Sequence, residues 1–286
     1  MTKVKEAADK APEKDEKQKE TAVDFGKELI KVVLAAFLIA TVFRTFFYEP
    51  FNIPSESMLP TLMTGDYIFV SKMSYGYSRH SLPFSADLFD GRILQSDIER
   101  GDVAVFKLPR DGKTDYIKRV IGLPGDRIQM INGILFINNE IVKKERIEDF
   151  VFEASYYMTC YGRNNYLTRD EEGVAFCNYP QYRETLPNGV SYTVLDLEPY
   201  GGRDNTREFL VPEGHYFMMG DNRDNSQDSR VPSTIGVGFV PKENIVGRAD
   251  FIFWSTDGNA RLWQVWKWPG ATRWDRLLSG LNPEDG

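Results

Sequence analysis

Three stretches of this sequence carry side chains that could do chemistry. The first, residues 53–66, places Ser55 and Ser57 between Pro54 and Pro60. Two prolines stiffen a chain and exclude a helix, and a serine held on a stiff loop can serve as a nucleophile. Taken alone, the stretch reads first as a Ser-Pro-rich linker. The second, residues 115–126, carries Lys118 within the β-branched run Ile117, Val120 and Ile121. Strand alternation puts Lys118 on the face opposite Ile117 and Arg119. If that face is buried, desolvation disfavours the ammonium form and the lysine becomes a usable base. A lysine that protects a sheet edge from aggregation fits the pattern too. The third, Gly220–Arg230, is eleven residues without an apolar side chain, rich in Asp, Asn, Arg and Ser. It reads as a loop held by its own hydrogen bonds and ion pairs. A calcium loop is excluded, because the EF-hand spacing and closing Glu are missing.

Composition narrows the chemistry further. The chain has 286 residues, two His, two Cys and a formal net charge of -7. Nucleic acid is not an expected partner, since phosphate binding needs a basic footprint. A zinc finger, a His-rich metal centre and a disulfide scaffold are all unexpected, and no metal or cofactor is called for. Catalysis must proceed largely without histidine. His80, in a polar loop, and His215, ahead of Tyr216, read as surface or packing residues. Cys160 and Cys177 enclose sixteen residues, and both a disulfide and two separate thiols remain open.

The elements that must position these residues come next. Residues 1–28 alternate lysines with eight acids and read as a disordered tail or a solvated helix. Residues 29–48 are apolar on all faces, with only Lys31 and Arg44 as charges. They match the length of a bilayer core and end in Phe46, Phe47 and Tyr48. A buried helix of a soluble core is the competing reading, since the uncharged run covers only Val32–Phe43. The mean hydropathy of -0.40 excludes a polytopic membrane protein but not a single span. Lysines precede this stretch, and none follows until Lys72. The positive-inside rule then keeps the N-terminus in the cytoplasm and exports residues 49–286.

The exported part reads as mainly β. Runs at 67–70, 103–106, 116–122, 128–131, 134–137, 192–195, 216–219 and 245–254 are separated by turn signals. Asn132-Gly133 predicts a hairpin turn, and Gly122-Leu-Pro-Gly125 a turn with Gly at positive φ. Residues 140–210 lack strong periodicity and read as an inserted, smaller subdomain. The C-terminal part holds Trp254, Trp263, Trp266, Trp268 and Trp274 among Arg261, Lys267, Arg273 and Arg276. These tryptophans fit either a bilayer interface or a packed core, with Trp266 and Trp268 assigned to the interface.

Taken together, PSESMLPTLMTGD (54–66), GDVAVFKLP (101–109), YIKRVIGLPGD (116–126) and GDNRDNSQDSR (220–230) resemble the bacterial type I signal peptidases in content and order. These are the membrane-bound Ser/Lys leader peptidases of peptidase family S26. The resemblance covers roughly residues 29–255. It implies a β-sheet catalytic domain with an inserted subdomain, tethered to the inner membrane by one N-terminal helix. Ser57 then corresponds to the nucleophile and Lys118 to the general base. Ser55 matches the hydroxyl that helps form the oxyanion hole beside the Ser57 N–H, and Ser226 matches the serine that orients the lysine. Asp228 and Arg230 match an ion pair shaping the site, with Asp221 and Arg119 as neighbouring structural charges. Glu56, where some relatives carry glycine, is expected to point outward. Shallow pockets near Ile53, Pro54, Met58, Tyr116 and Ile117 would accept alanine side chains of an extended peptide. The implied partners are signal peptides of exported preproteins, membrane lipid and the secretion translocon. A self-cleaving Ser/Lys repressor-like protease and a periplasmic adaptor with a degenerate site are the rival readings. The apolar span and Gly220–Arg230 oppose the first, and retention of both Ser57 and Lys118 opposes the second.

Overall fold

The computed structural model describes residues 11–82, 85, 89, 91–155, 158–161, 166–198, 201–260 and 263–281, with side chains from Phe25 onward. Two units are separate, Met1–Phe46 and Phe47–Gly286. Residues 1–10 of the polar tail and Arg261 lie outside the described residues.

The first unit is one helix, α1 (Ala11–Phe46). Its segment Phe25–Phe46 is long and apolar enough to cross a membrane. Phe37, Leu38 and Ile39 are exposed, as are their neighbours along the helix. Thr41 and Thr45 turn their hydroxyls back onto the carbonyls of Phe37 and Thr41, which satisfies those groups within the helix. The helix stops at Phe46, two residues before the apolar stretch ends. Pro50 disfavours a helical conformation at Glu49, so Tyr48 opens the strand Tyr48–Asn52 instead. Tyr48 pairs with Ser71 and packs edge-on against Phe69 and Phe251.

The second unit is mainly β. Its largest sheet runs Tyr48–Asn52, Asp66–Ser71, Ile245–Ser255, Val103–Lys107, Asp115–Gly122, His215–Met219 and Val240–Pro241, with neighbours hydrogen-bonded. Every pairing in it is antiparallel. Strand Asp115–Gly122 is therefore central, and from Ile117 onward it is buried on both faces. That explains why its pattern is a continuous β-branched run rather than a clean alternation. Asn132 and Gly133, both at positive φ, turn Arg127–Ile131 into Ile134–Ile137 as a tight hairpin. Gly125 also takes positive φ, in the turn that leads to Asp126.

Residues 140–210 do form strands despite their weak periodicity. Lys143–Arg146, Gln181–Thr185 and Ser191–Leu195 make one three-stranded sheet, and Phe150–Glu153, Ala175–Tyr179 and Leu167–Arg169 another. Most of these strands are short and half-exposed, so apolar and polar residues mix along them. Cys160 and Cys177 form a disulfide. Around it Phe152, Met158, Tyr179, Leu195 and Leu197 build a core that also takes in Leu59 and Met63. The segment after Ser57 thus packs on the disulfide-bearing region.

The tryptophans do not divide cleanly between the two readings. Trp254 packs against both Trp268 and Trp274, with ring centres 6.1 and 6.4 Å away. Trp274 is nevertheless 60% exposed, close to Trp263 at 66% and Trp266 at 71%. Nearby, Arg276 donates to both carboxylate oxygens of buried Asp66, which also accepts from Ser255 Oγ and the Met63 N–H. The C-terminal segment is thereby fastened to the base of the Ser57 loop.

Candidate active site

The Ser57 loop is closed by backbone bonds from Ile53 N to Asp66 O and from Gly65 N to Ile53 O. Gly65 is required there: it sits at positive φ, and a Cβ would lie 2.1 Å from the Thr256 carbonyl oxygen. Within the loop Leu62 N bonds Met58 O, and Leu59 N bonds Glu56 O. The far side is held by the polar loop after His215–Met219. Asn222 donates its backbone N–H to Ser57 O at 3.2 Å and its amide to Glu56 O at 3.2 Å. Gly220 allows this approach, because a Cβ would meet Ser57 O at 2.4 Å and Ser226 Oγ at 2.3 Å.

Lys118 comes from the central strand, paired across Ala104. Its Nζ donates to Ser57 Oγ at 2.5 Å and to Ile117 O at 2.8 Å. It also lies 5.6 Å from the Tyr116 ring centre. Lys118 is 3% exposed and Ser57 8%. Burial pushes the Lys118 ammonium down to about 8; Asp228 and Asp221 oppose that shift, and Arg230 adds to it. An amine that is neutral near that pH, hydrogen-bonded to a hydroxyl, can take its proton. Ser55 Oγ lies 3.4 Å from Ser57 Oγ.

Two buried ion pairs flank the lysine. Arg230 grips Asp228 through Nε and Nη2 at 2.9 and 2.8 Å. Arg119 grips Asp221 the same way at 2.9 and 2.7 Å, and Thr61 donates to Asp221 at 2.6 Å. Such two-pronged geometry is what makes a buried guanidinium–carboxylate pair tolerable. Burial alone would raise the Asp228 carboxyl, but the Arg230 guanidinium overrides it and holds the group below its usual range.

Other residues sit differently from expectation. Ser226 is buried, but Lys118 donates to Ser57 and Ile117 rather than to it. Ser226 Oγ instead faces the gap left by Gly220. Glu56 is half-buried rather than outward-pointing: its carboxylate lies 3.5 Å from the Asn225 amide, and burial raises its carboxyl. Ile53, Met58 and Ile117 pack in one core cluster. Met58 is fully buried, whereas Pro54 is exposed. Ile53 and Pro54 line a cavity of about 860 Å³ whose far wall is Tyr67, Phe253, Trp254 and Trp268. Met58, Tyr116 and Ile117 are not on its surface. Tyr116 packs against Phe106 instead. Each histidine bonds elsewhere, His80 Nδ1 with Ser85 Oγ and His215 Nδ1 with Glu213 O.

The family model for signal peptidase, peptidase S26, matches residues 26–254. The chain belongs to this signal peptidase family. Signal peptidase I of Rickettsia typhi is 42% identical over 226 residues, 76% of each chain. Signal peptidase I of Rickettsia conorii has the same identity and coverage. A crystal structure of a signal peptidase I from Enterococcus faecalis is 26% identical, covers 54% of this chain and 97% of its own, and has a TM-score of 0.29. S26 members are serine peptidases, so a buried serine beside a lysine with a depressed pKa is the natural focus of this one.

Several residues of this S26 peptidase escaped the sequence reading. Asn222, Thr61 and Gly220 brace Ser57 and Asp221, and two of the three lie in the polar loop already singled out. Glu184 lies in the region without periodicity and gave no signal, whereas Tyr192 opens the run 192–195, which foretold the strand Ser191–Leu195 but not its contact with Glu184. Three carboxylates, of Asp196, Asp204 and Asp224, converge within 4.8 Å of one another. Lys144 pairs with Asp196, and Asp224 accepts the backbone N–H groups of Leu197 and Glu198, so this cluster ties the polar loop to the neighbouring chain.

Proposed function

We propose that this peptidase removes N-terminal signal peptides from exported preproteins, with Ser57 as nucleophile and Lys118 as general base. The carrying observation is the 2.5 Å contact between Lys118 Nζ and Ser57 Oγ, both buried. Neutral Lys118 takes the Ser57 proton while Oγ attacks the scissile carbonyl carbon. The oxyanion so formed accepts from the Ser57 N–H and the Ser55 hydroxyl, donors of the kind whose loss costs about 10²–10³-fold in rate. Lys118 then gives its proton to the leaving amine, and the C–N bond breaks. Water, deprotonated by Lys118, releases the acyl group from Ser57. Asp228, Arg230, Asp221 and Arg119 hold the surrounding charge fixed; the lysine-orienting role of Ser226 rests on the family resemblance alone, since Lys118 bonds Ser57 and Ile117.

The substrate follows from the family resemblance. Small residues at the first and third positions before the cut would be taken up near Ile53 and Pro54, which line the cavity, and near Tyr116 and Ile117 on the Lys118 strand, whereas Met58 is fully buried and cannot contact the peptide. The peptide would bind extended beside the sheet. The apolar helix anchors the enzyme with its N-terminus in the cytoplasm and the β unit outside, where Trp263 and Trp266 meet the bilayer interface. Residues 140–210 form the inserted subdomain of residues 49–286. The test is preprotein cleavage in detergent. Wild type cuts after the small residue, whereas Ser57→Ala and Lys118→Ala do not; full activity in both variants overturns the dyad.

A further inference from the structure

Glu184 is a buried acid, 1% exposed, on the strand Gln181–Thr185, and the chemistry above makes no use of it. Its Oε2 accepts from Arg223 Nη2 at 2.6 Å and from Tyr192 Oη at 2.8 Å. Arg223, itself 2% exposed, belongs to the polar loop. The Arg223 carbonyl accepts from Arg230 Nη2 at 2.7 Å, and Arg230 is the residue that grips Asp228. On the other side, the Arg119 guanidinium lies 4.3 Å from the Tyr192 ring centre, and Arg119 grips Asp221. Glu184 and Tyr192 therefore stand behind both carboxylates that act on Lys118.

The Glu184–Arg223 pair has nothing in reserve. Among the described residues Arg223 Nε and Nη1 and Glu184 Oε1 are buried without partners; Arg223 Nη2 alone bonds, to Glu184 at 2.6 Å and to Tyr192 Oη at 3.3 Å, and only the first of these balances its charge. Arg223 also feels Asp221. Without Glu184, a buried guanidinium would be left uncompensated, which is costly, and would draw on Asp221.

We propose that Glu184, held by Tyr192, is a positioning residue for Lys118: it neutralises Arg223, so that Asp221 and Asp228 stay committed to Arg119 and Arg230. This rests on the Ser57–Lys118 reading. The groups acting on Lys118 are Asp228, Asp221 and Arg230; those in contact with Glu184 are Arg223 and Tyr192. Removing the Glu184 charge leaves net positive charge near the site, so the lysine loses its proton at lower pH.

The full-length enzyme in detergent, assayed on a signal-peptide substrate across pH, provides the test. Glu184→Gln should lower the plateau of kcat/KM about tenfold and move the acid limb down by about half a pH unit. Tyr192→Phe, which keeps both charges but removes one hydrogen bond to Glu184, should lower the plateau by about threefold and leave the acid limb in place. Glu184→Gln combined with Arg223→Gln should return the acid limb to its wild-type position, because no buried charge is then left alone. A folded Glu184→Gln with the wild-type limb overturns the proposal, as does a shifted limb that persists in the double variant. If Glu184→Gln does not fold, Tyr192→Phe decides, and a wild-type plateau of kcat/KM there overturns the proposal. Ser57→Ala run alongside reads the dyad separately: activity in that variant removes the mechanism, not the Glu184 contact.

Discussion

The central strand Asp115–Gly122 and the region 140–210 are both β, yet they are held together by different means. From Ile117 onward the strand is buried on both faces, and it holds Lys118 and Arg119 almost wholly out of bulk solvent, 3% and 2% exposed. Its charges are therefore matched one by one, Arg119 to Asp221 and, beside it, Arg230 to Asp228. The region 140–210 is built mostly of short, half-exposed strands, fastened by the Cys160–Cys177 bond and the apolar cluster around it, while Val142, Leu186, Tyr192 and Val194 join a second cluster shared with Ile121 and Phe217. The difference is instructive. A base lowered by burial needs a dry, rigid surround, and fixed ion pairs supply it. A peripheral region needs only to stay closed, and a covalent link supplies that. Glu184 and Tyr192 are the point where the two regimes meet.

Perturbing the central strand should give the largest effects. Lys118→Arg keeps the charge but installs a group that does not deprotonate, so cleavage should fall by about 10⁴-fold. Significant residual activity in a folded Lys118→Arg protein would remove the base assignment. The pH profile sharpens the same point. The folded lysine is lowered to about 8, and in the proposed mechanism its neutral form is the base, so kcat/KM should rise through about pH 8 and level off above it. Below that pH, protonation removes about tenfold of activity per pH unit. A profile flat down to acid pH would mean the lysine is not the group that titrates.

Breaking one ion pair should come next. Asp221→Asn leaves Arg119 buried and unpaired, with an expected loss of about 3–5 kcal/mol of stability in urea unfolding. A loss under about 1 kcal/mol would show that Arg119 finds other partners, such as Gly101 O, which it already contacts at 2.7 Å. For the region 140–210, replacing Cys160 and Cys177 together by serine should cost about 3 kcal/mol, the loop-closure value for a link of this span. Cleavage by the folded fraction should fall far less than in Asp221→Asn. An equal loss of turnover would mean that the Leu59 and Met63 packing depends on the disulfide, and the contrast between the regions would narrow. The smallest effect belongs to the exposed pair Arg127–Glu208. Glu208→Gln should change stability by less than about 1 kcal/mol, measured in the same unfolding assay.

How much was legible in the sequence differs along the same division. The runs at 103–106, 116–122 and 216–219 foretold strands because central strands are apolar on both faces and bounded by turns. The span 29–48 foretold a helix, which ends at Phe46 because Pro50 pulls the chain into a strand. Residues 143–185 gave no strand signal: their strands are short and half-solvated, and only pairing across the sheet stabilises them. The disulfide was open for a related reason, since spacing alone does not set the distance between two cysteines.

The sequence by itself determined the chemistry available to this protein: a lysine in a β-branched run, two serines between prolines, a loop dense in paired charges, and too few histidines for any other base. Side-chain type and local pattern suffice for that. Only the tertiary structure decided that Lys118 meets Ser57, 61 positions away, and that its ammonium is desolvated. It likewise decided that Glu184 and Tyr192 stand behind the carboxylates facing Lys118. Desolvation and charge pairing depend on what packs around a group in space, and those neighbours come from strands far apart in the chain.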